Sequence, residues 1–291
     1  MLMRYQSIFR SGLFAGKTII VTGGGSGIGR CTAHELASLG AALALVGRNP
    51  DKLEAVRTEI AAVAPEAKIT CHACDIRDEQ GVNATIAAVL GTQGRIDGLF
   101  NNAGGQFPSS LKNISLKGWD AVVRNNLSGG FVMARECYVQ WMEHHGGTIV
   151  NMLADMWGGM PGLGHSGAAR AGMLNFTETA ACEWAHSGVR VNAVAPGWIA
   201  SSGLETYDDE LKALTKTLKR KVPLQRFGTE SEVSAAVVFL LSEAASFITG
   251  TCVRIDGGVP NARPSWELEF HDRSQPYNGF PLYRMPKFLD E

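Results

Sequence analysis

Residues 17–30 read KTIIVTGGGSGIGR, and this stretch decides the fold. Its first part, ending at Thr22, is rich in β-branched residues, which is typical of a buried strand, and the following glycines end the strand. Apolar residues with helical spacing run from Gly27 to Leu39, and an apolar run at 41–46 predicts a second strand. A strand, a glycine-rich turn and a helix within roughly 30 residues predict a loop whose backbone N–H groups bind the phosphates of a nucleotide.

The alternation of strand and helix continues to residue 258. Further strands are expected at residues 68–74, 98–101, 147–152, 188–195 and 251–255. Further helices are expected at residues 51–63, 118–144 and 164–186. Because apolar strands joined by helices form a parallel sheet covered on both faces, we predict an α/β protein. Its expected form is a single-domain Rossmann fold, a doubly wound seven-stranded parallel sheet with its ligand site at the carboxyl ends of the strands.

Three segments are expected along the chain. Residues 1–16 form an N-terminal arm, residues 17–258 form the dinucleotide-binding and catalytic domain, and residues 259–291 form a C-terminal tail. The tail has five prolines, six aromatic residues and no periodicity. We therefore expect an ordered tail that packs through its aromatic side chains, and a flexible tail is the alternative.

Composition excludes several classes of protein. The 291 residues include 27 Lys+Arg and 28 Asp+Glu, so no excess of positive charge favours binding to nucleic acid. No apolar run is long enough to predict a membrane span, and the N-terminus lacks the apolar core of a secretory signal, so a cytoplasmic protein is expected. The six cysteines are expected to be buried thiols. Cys71 and Cys74 lack a second pair at metal-ligand spacing, so no metal site is expected.

The end of the second strand distinguishes the two nicotinamide cofactors. NAD sites place Asp or Glu there to bind the ribose hydroxyls, and that carboxylate repels the 2′-phosphate of NADP. This chain has Arg48 instead, and its planar guanidinium matches a phosphate group. NADP(H) is therefore the expected cofactor, with surface solvation of Arg48 as the alternative.

The sequence resembles the short-chain dehydrogenase/reductase family over nearly its whole length. The resemblance rests on the glycine motif at 22–29, Asp75-Ile76, the Asn-Asn-Ala-Gly run at 101–104, Asn126, the Asn-Ala-Val-Ala-Pro-Gly run at 192–197 and the Asp-Gly-Gly run at 256–258. It implies that Asp75 holds the adenine, that Asn102 lines the ribose and that Ile199 reaches the nicotinamide carboxamide. Together with Arg48, the cofactor-binding residues that it implies are Gly23, Ser26, Gly27, Ile28, Gly29, Asp75, Ile76, Asn102, Ala103, Gly104, Arg170, Pro196, Gly197 and Ile199.

The Ser, Tyr and Lys that carry catalysis in this family are missing at their expected positions. Ser166 stands at the Tyr position, Arg170 at the Lys position and Ala154 at about the Ser position. A phenol beside a lysine exchanges protons near neutral pH, but a serine beside an arginine does not. Ordinary interconversion of alcohols and ketones is therefore disfavoured.

The branch of peroxisomal trans-2-enoyl-CoA reductases and 2,4-dienoyl-CoA reductases departs from the family in a similar way. The runs at 102–107, 165–170 and 244–250 resemble that branch. These enzymes reduce a carbon–carbon double bond conjugated to a thioester. The resulting enolate needs hydrogen-bond donors more than a tuned acid, and Arg170 supplies a permanent positive charge. In the family an Asn on the long helix backs the active site, and the resemblance gives Asn126 that place.

Asp155 and His165 are the candidates for the final proton transfer to carbon, with water as a further source. Asp155 lies fifteen residues before Arg170, at the spacing where the mitochondrial dienoyl-CoA reductase carries its acidic Tyr. An apolar pocket with Met156 and Trp157 would raise its pKa, and a solvated loop aspartate is the alternative. His165 opens a helix, where capping or packing is the alternative to proton transfer.

The resemblance also implies a mobile lid at residues 201–226 and a homotetramer. Trp198, just before the lid, and Tyr207 and Leu211 within it are expected to line an acyl pocket. Three basic residues either contact the phosphates of coenzyme A or form a solvated helix face; they are Lys216, Arg220 and Lys221.

The expected function is NADPH-dependent reduction of 2-enoyl- or 2,4-dienoyl-CoA, with acyl-CoA or another small molecule as substrate. Two alternatives stay open. One is an NADP-dependent alcohol or aldehyde dehydrogenase of the same family, acting on branched or isoprenoid chains. The other is a non-catalytic nucleotide-binding protein.

Overall fold

A computed structural model describes residues 7–201, 204, 209, 215, 217–262, 265–277, 279 and 286–290 of the chain. Its sheet has seven parallel strands in the order β3-β2-β1-β4-β5-β6-β7. The strands are β1 (Thr18–Thr22), β2 (Ala42–Gly47), β3 (Ile69–Ala73), β4 (Gly98–Asn101), β5 (Gly147–Met152), β6 (Val189–Pro196) and β7 (Cys252–Ile255). The predicted Rossmann fold is confirmed, and the observed strands agree closely with the predicted ranges.

Helices cover both faces of the sheet. The described helices are α1 (Gly27–Ser38), α2 (Pro50–Ala61), α3 (Glu79–Gln93), α4 (Leu116–Val123), α5 (Gly129–Cys137), α6 (Glu143–His145), α7 (Gly164–Glu183), α8 (Glu230–Leu241) and the short α9 (Lys287–Asp290). Side chains of α1, α2 and α8 share one apolar cluster with the sheet, and side chains of α3, α5 and α7 share another. The sheet is therefore doubly wound, and its central strands are buried on both faces.

The reversal of strand order beside β1 positions the ligand site. Strand β1 is buried throughout, and its Val21 pairs in parallel with Leu45 of β2 and with Phe100 of β4. The chain therefore leaves the adjacent strands β1 and β4 in opposite directions, toward helices on opposite faces. This opens a crevice at the carboxyl edge, where open α/β sheets bind ligands.

The long helix expected at 118–144 is interrupted twice. Two π-helical segments, Arg124–Ser128 and Tyr138–Met142, join α4, α5 and α6 into one continuous helix. A π-helical turn inserts an extra residue and changes the direction in which the following side chains point, and such turns are frequent at functional sites. The first of these segments contains the buried Asn126.

The start of α8 is fixed by reciprocal hydrogen bonds. Thr229 Oγ1 accepts from the N–H of Glu232 at 3.2 Å, and the N–H of Thr229 donates to Glu232 Oε2 at 2.8 Å. Thr229 Oγ1 also donates to the carbonyl of Tyr277 at 2.7 Å. The capping box therefore fixes both the helix and one point of the C-terminal tail.

Polar contacts hold the described part of the tail. Arg226 Nε donates to Ser274 Oγ at 2.9 Å, and the N–H of Tyr277 donates to Glu232 Oε1 at 3.2 Å. Trp266 and Phe270 are 76% and 84% exposed. The expectation that the tail packs through its aromatic side chains is therefore wrong for these two residues, because backbone and carboxylate hydrogen bonds anchor the segment instead.

Most of the expected lid lies outside the described residues. These include Tyr207, Leu211 and Lys216, so their expected contacts with substrate stay predictions. Trp198 lies beside Val222 in a separate cavity of about 530 Å³ near the end of β7. Arg220 and Lys221 belong to a short exposed turn, Lys219–Lys221.

Within the described ranges, none of the helices has the length and apolar character needed to cross a membrane.

Replacing Thr229 with alanine removes both the cap of α8 and the hydrogen bond to the tail. We expect the free energy of unfolding to fall by about 1–2 kcal/mol, the usual effect of losing such a cap. Urea unfolding followed by circular dichroism measures it. Thr229→Ser keeps the hydroxyl and should lose less than half of that amount; equal losses in both variants would contradict the capping role.

Candidate active site

A cleft of about 510 Å³ lies at the carboxyl ends of β1 to β4. The lining residues are Gly23, Gly25, Ser26, Gly47, Arg48, Asn49, Lys52, Leu53, Cys74, Asp75, Ile76, Ala103, Gly104 and Asn125. The cleft brings together residues predicted from four separate motifs of the sequence. It lies where the crevice of an open parallel sheet is expected.

The loop between β1 and α1 requires glycine for two reasons. Gly23 has φ of +66°, in the left-handed region that other residues rarely adopt. A Cβ on Gly29 would overlap the carbonyl of Gly23 and lie 2.6 Å from Asn102 Nδ2. The backbone therefore lies too close to its neighbours for larger residues, and this leaves the start of α1 open to an anionic ligand.

Ser26 immediately precedes α1 and has extended backbone. Its hydroxyl makes no capping hydrogen bond to the first turn of the helix. The helix N-terminus therefore keeps N–H groups without a side-chain cap beside Gly27 and Ile28. Such groups bind phosphate, so this arrangement fits the pyrophosphate of a dinucleotide.

Asn102 supports the phosphate loop rather than lining the cleft. Its Nδ2 donates to the carbonyl of Thr22 at 2.9 Å, and its backbone N–H donates to Thr22 Oγ1 at 2.9 Å. The N–H of Ala103 donates to the same hydroxyl at 2.8 Å. The side-chain amide of Asn102 thus ties the ends of β1 and β4 together, and its expected place along the ribose stays a prediction. Ala103 and Gly104 do line the cleft.

Two basic residues lie at the end of β2. Arg48 follows the strand and is exposed at the cleft, as its predicted role requires. Lys52 lies one helical turn later. Its backbone N–H donates to Oδ1 of Asn49 at 3.1 Å, and the Asn49 side chain thereby caps α2. Lys52 was missed in the sequence, although its position four residues after Arg48 near the start of a helix is a usable signal. Two cations here favour a ligand with an additional phosphate.

Asp75 is held as an oriented anion. Arg77 Nε donates to both of its carboxylate oxygens, at 2.9 and 3.1 Å, and the N–H of Arg77 donates to Oδ1 at 3.0 Å. These hydrogen bonds lower the pKa of Asp75 to about 2, mainly through the Arg77 side chain. One third of the Asp75 side chain is exposed, so it keeps acceptor capacity toward the cleft. Its contact with an adenine stays a prediction. Ile76 is buried beside it.

Arg170 and Asn126 form the centre of the site. Arg170 extends from α7, where its Nη2 donates to Asn126 Oδ1 at 2.8 Å and its Nη1 donates to the carbonyl of Met152. Asn126 Oδ1 also accepts from the N–H of Gly105 at 3.0 Å, and its Nδ2 donates to the carbonyls of Gly105 and Val122 at 2.7 and 3.0 Å. Asn126 thus joins the loop after β4, the π-helical segment and the guanidinium.

The Arg170 side chain is a buried cation whose partners are neutral. The residue is only 8% exposed, and no carboxylate of the described residues forms an ion pair with it. Burial lowers its pKa to about 10, so it stays positively charged at neutral pH. A Cβ on Gly104 would lie 2.7 Å from Arg170 Nη2, which explains the glycine. A cation without a counter-charge favours a ligand that carries or develops negative charge.

Ser166 and His165 precede Arg170 on α7, and both are fully buried. Ser166 Oγ donates to Gln106 Oε1 at 2.5 Å, so Gln106 is a further site residue that the sequence did not single out. The ring of His165 contacts Phe107 edge-on, with centroids 4.6 Å apart, and its Nδ1 accepts from the N–H of Ser166 at 2.9 Å. His165 Nε2 is buried and has no hydrogen-bond partner among the described residues. The loop at 104–107 therefore covers the start of α7.

Asp155 lies between the ends of β5 and β6, where its N–H donates to the carbonyl of Pro196 at 3.0 Å. Burial raises the pKa of its carboxyl, and the negative charge of Asp256 raises it further. The N–H of Trp157 and the charge of Arg254 act in the opposite direction. The predicted direction of the pKa shift is confirmed. Its second cause, Asp256, comes from the far end of the chain and was not expected.

Just after β6, at the far side of the crevice, the backbone N–H and C=O of Ile199 have no hydrogen-bond partner among the described residues. Gly197 N–H donates to the carbonyl of Ile255 at 3.0 Å, and a Cβ on Gly197 would lie 2.9 Å from Asp256 Cα. Ile199 forms a parallel bridge with Gly228. A parallel bridge uses the groups flanking its central residue, so the N–H and C=O of Ile199 point away from Gly228. These groups fit the predicted contact with a carboxamide; Pro196 is the last residue of the strand.

The donor set as a whole fits a nicotinamide dinucleotide. Three features lie along one edge of the sheet. They are the loop with uncapped N–H groups, the two cations at the end of β2, and the backbone N–H and C=O of Ile199 after β6. In the described residues, no three His, Cys, Asp or Glu side chains cluster in a way that could hold a metal ion.

Comparison with known proteins places the chain in a family. The family model described as enoyl-(acyl carrier protein) reductase matches residues 23–260. A probable 2,4-dienoyl-CoA reductase of Bacillus subtilis (strain 168) is 38% identical over 246 residues, which is 83% of this chain and 96% of that protein. A peroxisomal 2,4-dienoyl-CoA reductase of Danio rerio is 34% identical over 259 residues, covering 88% of this chain and 85% of that protein.

A solved structure is more similar in sequence. The citronellol catabolism dehydrogenase (AtuB) of Pseudomonas aeruginosa PAO1 is 58% identical, with a TM-score of 0.79 over 88% of this chain and 100% of that chain. Family model, curated relatives and solved structure thus agree with the fold described above. The chain belongs to the short-chain dehydrogenase/reductase family of oxidoreductases.

Proposed function

We propose that the protein catalyses NADPH-dependent reduction of the carbon–carbon double bond of 2-enoyl- or 2,4-dienoyl-CoA thioesters. The observation that carries the proposal is the buried guanidinium of Arg170, whose hydrogen-bond partners among the described residues are neutral and include no phenol. Two relatives that carry the name 2,4-dienoyl-CoA reductase, at 38% and 34% identity, support it.

The chemistry of the conjugated thioester matches this electrostatic arrangement. When bound, NADPH supplies a hydride, which adds to carbon and shifts negative charge onto the thioester oxygen. The fixed charge of Arg170 stabilises that oxygen, and Asn126 holds the guanidinium in place through Oδ1. Gln106 accepts from Ser166 with Oε1, which leaves its NH₂ group available as a further hydrogen-bond donor. Preorganised donors of this kind provide a large part of the stabilisation of a developing oxyanion.

Ser166 is poorly suited to act as the acid of an alcohol–ketone interconversion. Its proton is engaged with Gln106 Oε1, and an aliphatic hydroxyl ionises far above neutral pH. A carbon–carbon reduction instead requires a proton at carbon, which can follow the hydride. We assign that proton to Asp155, because burial and Asp256 raise the pKa of its carboxyl toward the range of a useful general acid.

His165 is the alternative proton donor. Its Nδ1 accepts from a backbone N–H, so the neutral ring carries its proton on Nε2, which is buried and has no described partner. The edge-on contact with Phe107 fixes the ring. The same contacts serve packing at the start of α7, and for this reason Asp155 is preferred.

A second function is favoured by one specific comparison. The structure that is 58% identical is named a citronellol catabolism dehydrogenase, and citronellol is a branched isoprenoid alcohol. This supports an NADP-dependent dehydrogenase of isoprenoid alcohols or aldehydes as the second candidate. It requires a proton carrier other than Ser166, and Asp155 or His165 is then that group.

One assay separates the two functions. The purified protein is incubated with NADPH and, in separate reactions, crotonyl-CoA, a 2,4-dienoyl-CoA and a panel of linear and isoprenoid aldehydes, while nicotinamide absorbance is followed. Turnover of thioesters alone supports double-bond reduction, and turnover of aldehydes alone overturns it in favour of the second candidate. Tight binding of NADPH without turnover of any substrate contradicts both.

The role of Arg170 predicts a large effect on turnover. Arg170→Met removes the buried positive charge at similar volume, and we expect kcat for thioester reduction to fall about 100- to 1,000-fold, as when an oxyanion donor is removed. Arg170→Lys keeps the charge and should retain more activity. Arg124→Met removes an exposed arginine outside the cleft and serves as the control. A kcat for Arg170→Met within threefold of the wild type would contradict the proposal.

Cofactor preference is predicted to depend on Arg48. Arg48→Asp removes a charge-assisted contact with the 2′-phosphate, so KM for NADPH should rise roughly 10- to 100-fold while KM for NADH changes little. Initial rates at varied cofactor concentration measure both constants. The exposed Arg57, which pairs with Glu54 on α2, provides the matched control Arg57→Asp. Equal changes in the two constants for Arg48→Asp would refute the NADPH assignment.

The proton donor is tested through pH dependence. Asp155 donates only while protonated, so kcat of the wild type should decline as pH rises through its raised pKa. Asp155→Asn should lower kcat about 100-fold or more and abolish that decline. The exposed Asp120 of α4 provides the control Asp120→Asn. Unchanged turnover and an unchanged profile in Asp155→Asn would remove Asp155 from the mechanism.

A further inference from the structure

A buried carboxylate lies directly behind the phosphate loop. Glu230 is the first residue of α8, which packs against α1, and only 7% of its surface is exposed. A Cβ built on Gly27 would lie 3.7 Å from Glu230 Oε1. Gly27 begins α1 and belongs to the loop whose N–H groups fit a pyrophosphate, so the carboxylate is close to that loop.

The negative charge of the Glu230 carboxylate has little nearby positive charge to offset it among the described residues. No described residue donates a hydrogen bond to Glu230 or forms an ion pair with it within 4.0 Å. Arg30 on α1 is the cation that acts on it, but Arg30 Nε donates to Glu59 Oε2 at 2.7 Å and is thereby partly neutralised. The other titratable groups of α1 on this contact are Cys31, which is coupled electrostatically to Glu230, and Glu35, two helical turns further along.

Burial raises the pKa of Glu230 to about 7, and the positive charge of Arg30 counteracts only part of that rise. The side chain therefore changes charge near neutral pH. Its neighbour Glu232 keeps a lowered pKa because Arg226 and backbone N–H groups bind it. Of the two carboxylates at the start of α8, only Glu230 has a pKa near neutral, so only its charge changes around neutral pH.

We propose that Glu230 couples cofactor binding to proton uptake: the loop binds phosphate most tightly while Glu230 is protonated, and affinity declines as Glu230 ionises. The inference rests on the proposed nicotinamide cofactor. The physical basis is repulsion between a buried carboxylate and a doubly charged pyrophosphate across a protein interior, where charges are weakly screened. By linkage, bound cofactor must raise the proton affinity of Glu230 by the same factor.

The test measures binding alone, without substrate. Dissociation constants of NADPH and NADH are determined by fluorescence titration between pH 6 and pH 8.5 for the wild type, Glu230→Gln and Glu35→Gln. Calorimetry in two buffers of different ionisation enthalpy measures the protons taken up on binding. Glu35→Gln is the matched control, since Glu35 is a buried carboxylate on the same helix contact but lies about 12 Å further along α1.

For the wild type and Glu35→Gln, we expect affinity for both cofactors to fall on the order of tenfold across this range, one pKa unit of coupling. Roughly half a proton should be taken up near pH 7.5. Glu230→Gln should bind tightly at every pH and take up no proton with NADH. The NADH series matters because it lacks the 2′-phosphate, which titrates by itself near pH 6.

Two results overturn the inference. If Glu230→Gln keeps the pH dependence and proton uptake of the wild type with NADH, Glu230 is not the coupled group, and the proposed function is unaffected. If the wild type binds neither cofactor, the inference and the proposed function fail together. Thermal unfolding at pH 8 verifies the fold of the variant, which should be at least as stable as the wild type there. A group with a raised pKa loses its stabilising contribution as pH rises through that value, so removing its charge does no harm.

Discussion

A guanidinium buried without a carboxylate must be surrounded by neutral oxygens, because an unpaired charge is strongly disfavoured inside a protein. The two Nη groups of Arg170 meet this condition with the carbonyl of Met152 at the end of β5 and Oδ1 of Asn126 in the first π-helical segment, while its buried Nε has no partner among the described residues. These contacts join α7, β5 and the long helix, and Asn126 adds the loop after β4. The centre of the crevice is thus organised around one positive charge. Residue 104 is a glycine because a side chain there would overlap the Arg170 guanidinium.

Under the proposed function, Ser166 and Arg170 on α7 are compatible with an oxidoreductase. The phenol and lysine typical of the family transfer a proton, whereas a buried guanidinium is positively charged and stabilises a negative charge on a bound group. Under the proposed function the two tasks are separated: Arg170, with Gln106, is assigned to the developing oxyanion, and Asp155, beside Asp256, is assigned the role of acid. Conjugated thioesters need that separation, since hydride and proton are added to different carbons.

Most of the fold was predictable from the sequence, but the site was predictable only in part. Apolar runs and glycines are local signals, so the strands, the phosphate loop and the position of Arg48 followed from them. The pairing of Asp75 with Arg77, the tie between Asn102 and Thr22, and the contact of Ser166 with Gln106 depend on how separate segments meet. The π-helical turn at Asn126 is likewise set by packing rather than by local propensity. Such contacts leave no periodic signal in a single sequence.

The most direct test of the central claim is the position of a transferred label. NADPH carrying deuterium at C4 of its nicotinamide is incubated with a 2,4-dienoyl-CoA, and the product is examined by mass spectrometry and NMR. Double-bond reduction predicts one deuterium on a former alkene carbon, with the thioester intact. A thioester that stays unlabelled, while an aldehyde offered under the same conditions gives a C1-deuterated alcohol, would contradict it.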